Sequence, residues 1–164
     1  MPSHVQTNLA FSSQKLEFAY LAYLNGEQFQ NLAEYGKRSQ RFLVDNVRSS
    51  GTGLYPRYLN ITTGQSTSNV STLFYAGRDF AENALKLYIQ SGGTDVESLE
   101  LYKRTMDAVE ASQLIVTTSP TTNVTYVRDY DFVSGQHDDC MSYHGCYLGS
   151  MLALGSQVMA HALN

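Results

Sequence analysis

Tryptophan is absent from the sequence, and cysteine occurs only twice, as Cys140 and Cys146. Two thiols are too few for a disulfide-rich scaffold, so a folded state must rest on a buried apolar core. Basic residues are scarce and scattered: 11 Lys plus Arg face 15 Asp plus Glu, for a net charge of -4. That balance disfavours a nucleic-acid surface or an anionic membrane as partner and leaves small or neutral ligands. Long apolar runs are missing too. None approaches the roughly 18 to 20 residues of a membrane span, and the opening "MPSHVQTNLA" has neither a basic n-region nor an apolar h-region. Read literally, the sequence predicts no export signal and no transmembrane segment.

What is present suffices for one ordinary domain. The 164 residues are 43% hydrophobic and 16% charged, a composition that can bury a core. The segment from about Ser12 to Leu24, "SSQKLEFAYLAYL", is apolar nearly all round apart from Glu17, which predicts a buried helix. After an "NGE" turn, "QFQNLAEYGKRSQRFLVDNV" places Phe29, Leu32, Ala33, Phe42 and Leu43 on one stripe and leaves Lys37, Arg38 and Arg41 to water. The Gly-, Ser- and Thr-rich stretch that follows predicts a loop or short hairpin. A second helical pair spans about Asp79 to Gln90 and, beyond a Gly-Gly turn, about Asp95 to Ile115. "TNVTYVRDYDFV" alternates like a strand, and about Cys140 to Ala162 reads as an apolar helix.

The two helical pairs resemble copies of one unit. Glu17-Phe-Ala-Tyr-Leu-Ala-Tyr-Leu matches Glu82-Asn-Ala-Leu-Lys-Leu-Tyr-Ile, and each first helix breaks at Gly before a more polar second one. A helical hairpin that cannot cover its own apolar face stacks on its neighbours, as in solenoids and closed α/α toroids. The fold class expected is therefore all-α, helical hairpins with short β-hairpins between them, with Glu17 and Glu82 pointing toward a shared axis.

Several residues are candidates for chemistry. At about 100° per residue, Glu17 shares its face with Tyr20, Leu21 and Leu24. A carboxylate there is either bonded to a Tyr hydroxyl or turned to a ligand. In "GRDFAENALKLYIQSGG", Asp79 falls with Asn83, Lys86 and Gln90 on the polar face, where it would satisfy free N–H groups at a helix start. Glu82 falls instead with Arg78, Leu85 and Ile89, as an intrahelical ion pair or a ligand-facing one. "HDDCMSYHGC" sets His137, Cys140 and His144 at i, i+3 and i+7, with Asp139 and Cys146 close by. On one helix face these would suit Zn, although the spacing matches no standard motif. Three triplets, starting at Asn60, Asn69 and Asn123, have the N-x-(S/T) form. A chain this rich in Ser and Thr produces about one or two by chance.

Taken together, the segments resemble the class I α-1,2-mannosidases, glycoside hydrolase family 47. "KLEFAYLAYLNGEQFQNLAE" is similar to the family's Leu-Glu-Phe helix and its turn, and "GLYPRYLNITTG" to its Gly-Leu-x-Pro hairpin. "GRDFAENALKLYIQSGGTD" resembles its Asp-Ser-(Phe/Tyr)-Tyr-Glu-Tyr-Leu-Leu-Lys helix, and "HGCYLGSMLALGS" its His-Leu-x-Cys-Phe-x-x-Gly-x-x-Ala-Leu-Gly helix. The match runs in order over about residues 8 to 156, leaving 1–7 and 157–164 as flanks of the same section. It implies part of an (α/α)7 toroid. It also implies trimming of α-1,2-linked mannose from high-mannose N-glycans in the endoplasmic reticulum or Golgi lumen, inverting and dependent on Ca2+.

Residue by residue, the resemblance places Glu17 and Glu82 on active-site glutamates. Without gaps the family's catalytic Asp falls on Arg78 and its following Ser on Asp79, so Asp79 is a catalytic candidate displaced by one. The active-site His falls on Tyr143, next to His144. Cys146 matches a family cysteine that forms a disulfide. The resemblance puts one family Glu upstream of this section, and another Glu and the Ca2+-binding Thr downstream, so no metal ligand is assigned here and hydrolysis is expected to be impaired. Two rivals stand beside this reading: a non-catalytic glycan-binding protein of glycoprotein quality control, and a metal-binding helical module at Cys140 and His144. Association through exposed helix faces is a further expectation.

Overall fold

A computed structural model describes residues 6–8, 14–47, 53–60, 62–71, 76–118, 121–141 and 143–162. In chain order they form β1 (Gln6–Asn8), α1 (Gln14–Asn25), a 3-10 turn (Gly26–Phe29), α2 (Gln30–Val47), β2 (Tyr58–Asn60) and β3 (Val70–Ser71). Then come α3 (Ala76–Gln90), α4 (Val96–Ala111), β4 (Ile115–Thr117), β5 (Thr125–Val127), β6 (Asp129–Asp131), β7 (His137–Asp138), a 3-10 turn (Tyr143–Tyr147) and α5 (Leu148–Ala162). Helices dominate. The short strands pair antiparallel as β1–β2, β3–β6–β7 and β4–β5.

The α3–α4 hairpin is the centre of the core. Phe80, Ala81, Ala84, Leu85 and Leu87 recur at helical spacing along α3 and are all buried, as one apolar stripe requires. Leu101, Tyr102, Ala108 and Val109 of α4, Leu148 and Met151 of α5, and Leu54 and Leu59 from the segment before β3 join Phe80, Ala81, Ala84 and Leu85 in one cluster, together with Leu43, Tyr55, Leu114 and Val127. The turn between the helices needs its two glycines: Gly92 and Gly93 have φ of 64° and 86°, the left-handed region that a Cβ disfavours. The Gly93 N–H donates to Tyr88 O at 3.0 Å and closes the end of α3. At the start of α4, Asp95 accepts from the Ser98 N–H at 3.1 Å, and the Ser98 hydroxyl donates back to Asp95 Oδ2 at 2.8 Å. That cap fixes where the second helix begins.

Four expectations are corrected. First, α1 is not buried all round: Tyr20, Leu21, Tyr23 and Leu24 are exposed, Tyr23 at 83%. Burial belongs to partners, and α1 packs mainly on α2 among the described residues. The buried residue of α1 is Lys15, whose stem lies where a Cβ on Gly36 would sit 3.0 Å from Lys15 Cγ. Second, Phe29 and Phe42 of the expected α2 stripe are exposed, while Leu43 and Gln40 are buried. Third, the helix expected to run to Ile115 stops at Ala111. Gln113 adopts a φ of 51°, and Ile115 pairs with Val127 in the β4–β5 hairpin. Fourth, the helix expected from Cys140 starts at Leu148. His137 and Asp138 are in a strand that forms a hairpin with Tyr130 and Asp129, and a 3-10 turn over Tyr143–Tyr147 precedes α5.

Burial pushes the Lys15 ammonium below the ordinary lysine range, partly offset by Asp95 and Glu97. With the folded pKa below the unfolded one, the unfolded chain binds the extra proton, so stability rises as pH climbs through the lowered value toward that of an unfolded lysine. Lys15→Met is therefore expected to gain on the order of 1 kcal/mol at neutral pH. The gain should shrink as pH enters the lysine range. Urea unfolding across that range checks it, and a variant less stable at neutral pH contradicts it.

Candidate functional site

The charged cluster at the start of α3 forms around Arg78. Its guanidinium is mostly buried, with 14% of the side chain exposed, which is uncommon unless the charge is paired. Two of its nitrogens, Nε and Nη2, donate to Asp79 Oδ1. Nε also lies 3.7 Å from Glu82 Oε2 one turn along the helix. Nη1 donates to the backbone oxygen of His144 at 3.3 Å, and the guanidinium stands 5.2 Å from the centroid of the Tyr147 ring. Lys86 grips the other Glu82 oxygen at 2.6 Å. One arginine thus ties α3 to the Tyr143–Tyr147 turn, which packs the His144 and Tyr143 rings 4.0 Å apart.

Four of the expected residues come together here: Arg78, Asp79, Glu82 and His144. Arg78 and Glu82 share a face, as the helical arithmetic expects. Asp79 departs from its expected solvated face. Helix α3 begins at Ala76, so Asp79 stands in the first turn, and its side chain is half-buried, folded back on Arg78. Glu17 is not part of the cluster. It is exposed on α1, and α1 meets α3 where Gln90 donates to Leu16 O, eight residues and about 12 Å along α3 from Glu82. Two contributors are additions: Lys86, whose i, i+4 relation to Glu82 was available in the sequence, and the exposed Tyr147 ring, whose placement depends on the turn; Tyr143, the position matched to the family's His, is exposed on the same turn.

In chemical terms the arrangement is a mixed-charge cluster beside aromatic rings. Two carboxylates, a guanidinium and an ammonium offer directional donors and acceptors, and two exposed tyrosines supply flat apolar faces beside them. An acid and base for inversion would flank a sugar at about 6.5–9.5 Å with a water between. Asp79 Oδ1 and Glu82 Oε2 both face Arg78 Nε, at 3.0 and 3.7 Å.

The HDDC segment does not form a metal centre on one helix face. His137 Nε2 lies 2.8 Å from Ser112 O and its ring packs against Tyr130, while Cys140 and Cys146 are free and exposed. Among the described residues no group of three or more His, Cys, Asp or Glu is arranged to hold a metal ion. The Cys140 thiol donates to the Asp138 carboxylate, and that hydrogen bond, reinforced by the carboxylate's charge, pushes the thiol above its ordinary range. Asp138→Asn is therefore expected to raise the rate of Cys140 alkylation severalfold near neutral pH, because the thiolate is the reacting species. Peptide mapping after timed alkylation reads it; an unchanged rate contradicts the pairing.

A cleft of about 740 Å3 lies elsewhere, between α1, α2 and the α3–α4 turn, and includes Lys15, Tyr20, Tyr23, Gln40 and Asp95. Its lining contains none of the clustered residues around Arg78.

Comparison with known proteins agrees with the motif reading. The profile of glycosyl hydrolase family 47 matches residues 2–163, and the chain belongs to that family. It is 34% identical over 148 residues to mannosyl-oligosaccharide alpha-1,2-mannosidase IA of Drosophila melanogaster, covering 89% of this chain and 20% of the relative. It is 31% identical over 146 residues to mannosyl-oligosaccharide 1,2-alpha-mannosidase IA of Sus scrofa, covering 89% and 21%. The Candida albicans mannosyl-oligosaccharide 1,2-alpha-mannosidase is 28% identical over 144 residues, 87% of this chain and 24% of the relative. The chain thus spans about a fifth of the length of the curated relatives it matches. No helix among the described residues is long and apolar enough to cross a membrane.

Proposed function

We propose that this chain recognises high-mannose N-glycans through the Arg78 cluster and contributes little or no hydrolysis from the Asp79 position. Membership of family 47 supports the substrate class, since the relatives are mannosyl-oligosaccharide 1,2-alpha-mannosidases. The observation that carries the rest is Arg78 itself. Its Nε and Nη2 both donate to Asp79 Oδ1, which supports a carboxylate held against the guanidinium and not presented to a leaving sugar oxygen. In this reading Glu82 and Arg78 bind sugar hydroxyls, Tyr147 packs against a pyranose face, and His144 holds the turn in place. Residues 8–156 are then part of an (α/α)7 toroid, in which further hairpins cover Tyr20, Tyr23 and Leu24. The setting is the lumen of the endoplasmic reticulum or Golgi.

The family's Ca2+ does not fit the residues of this cluster. Calcium takes about six to eight oxygen ligands, and the carboxylates of Asp79 and Glu82 are shared with Arg78 and Lys86.

Titration calorimetry with a high-mannose oligosaccharide tests the reading. Binding is expected, weakened about tenfold by Glu82→Gln, the loss of one charge-assisted hydrogen bond worth roughly 1.5 kcal/mol. Absence of binding, or binding indifferent to Glu82→Gln, contradicts it.

A further inference from the structure

The structure sorts the three N-x-(S/T) triplets. Asn60 ends β2, opposite Gln6 of β1, and is half-buried. Its side-chain oxygen accepts from the N–H groups of Thr62 at 2.8 Å and Thr63 at 3.2 Å. Asn69 is exposed just before β3, and its carbonyl accepts from Phe132 at 3.1 Å, which seats it against the chain after β6. Asn123 differs from both. It stands at the tip of the β4–β5 hairpin, exposed, with a φ of 46°, a left-handed turn conformation that asparagine tolerates better than other side chains. The residues around it, 121–125, are all exposed, and Val124 is an apolar side chain 54% bare.

The hairpin below the tip is well anchored, so the acceptor is presented on a fixed stem. Ile115, Val116 and Thr117 pair with Val127, Tyr126 and Thr125, and Thr118 N–H donates to Val124 O at 2.8 Å. Arg128 Nε donates to Gln113 O at 3.0 Å, tying the stem to the end of α4. A large polar appendage at the tip would project into solvent without displacing any residue of the core, and its first sugar would shield Val124.

We propose that Asn123 carries an N-linked oligosaccharide, in preference to Asn60. The donor is an oligosaccharide on a polyprenyl diphosphate, transferred by an enzyme of the luminal compartment. Asn123 Nδ2 loses a proton and bonds to the anomeric carbon. The bond from that carbon to the diphosphate oxygen breaks, and the polyprenyl diphosphate leaves with the electron pair. The inference rests on the luminal setting given under the proposed function.

The test is to express the full chain behind a cleavable secretion signal in a glycosylating cell. Peptide-N-glycosidase treatment and mass spectrometry then read the Asn-to-Asp conversion at each triplet. Expected are majority occupancy of Asn123, lower occupancy of Asn60, and loss of one glycan's mobility shift in Asn123→Gln. Thr125→Ala should abolish the same shift with Asn123 still in place, and Thr125→Ser should largely keep it. Bare Asn123 in chains whose signal has been cleaved overturns the inference, as does higher occupancy at Asn60. Because the appended signal fixes the compartment, that failure leaves the glycan-recognition reading untouched. A chain glycosylated at Asn123 that binds no high-mannose ligand sinks only the latter.

Discussion

Gly155→Ala is expected to destabilise the chain by about 2 kcal/mol, the middle of what overpacking a well-filled core costs. A Cβ on Gly155 would meet the Tyr102 ring with Oη at 1.9 Å and Cζ at 2.7 Å, and Tyr102 is itself buried on α4. The ring has to leave its position or α5 has to back away from α4. The alanine's better helix propensity, up to about 1 kcal/mol, opposes the change without cancelling it. Tyr102→Phe removes the nearest atom and leaves Cζ, so the double variant should recover about half of the loss, a coupling that a double-mutant cycle in urea measures. Gly149, in the same motif, is the control: nothing lies within 4 Å of its Cβ position, and Gly149→Ala should be neutral or slightly stabilising. Equal losses at both glycines contradict the α4–α5 packing.

Arg78→Ala is expected to cost about 2 kcal/mol. Stripping one partner from a fully buried ion pair costs roughly 3–5 kcal/mol. The figure is discounted here because Asp79 and Glu82 keep 28% and 21% side-chain exposure and water screens them. The loss has two parts: two carboxylates remain one turn apart without their shared cation, and the α3 link to the Tyr143–Tyr147 turn is cut. Arg78→Met keeps the aliphatic stem and isolates the charge effect. Adding Asp79→Asn to Arg78→Met should return most of that effect, and high salt should shrink it. If Arg78→Ala changes stability by only a few tenths, the guanidinium is not the hub described.

The sequence made part of this cluster readable. Arg78 and Glu82 are four residues apart, so a helix alone puts them on one face, and the sequence placed the helix. Asp79 misled because its side chain is short and adjacent to Arg78: the backbone points it toward the polar face, but the rotamer turns it to the guanidinium. No periodicity reports a rotamer. The apolar girth of α1 misled differently, since a helix without a polar face implies covering partners and the described residues give α1 mainly α2. Lys15 was hidden because its burial follows from a close approach at Gly36 between two helices. The segment around His137 and Cys140 failed for a third reason. The β6–β7 hairpin and the Tyr143–Tyr147 turn take up residues that a helical spacing needs, and the His137 contact to Ser112 joins residues 25 apart in sequence.

The central claim is that Arg78 occupies the acid's place and converts the start of α3 into a glycan-holding surface. Mannose release from a high-mannose oligosaccharide, followed by the purified full chain in saturating Ca2+ and in chelator, tests it most directly. The account predicts no release above the enzyme-free rate in either condition, from protein that binds the same oligosaccharide by calorimetry. Sustained Ca2+-dependent turnover lost in Asp79→Asn would contradict it, because Asp79 would then be acting as an acid or base despite its bonds to Arg78.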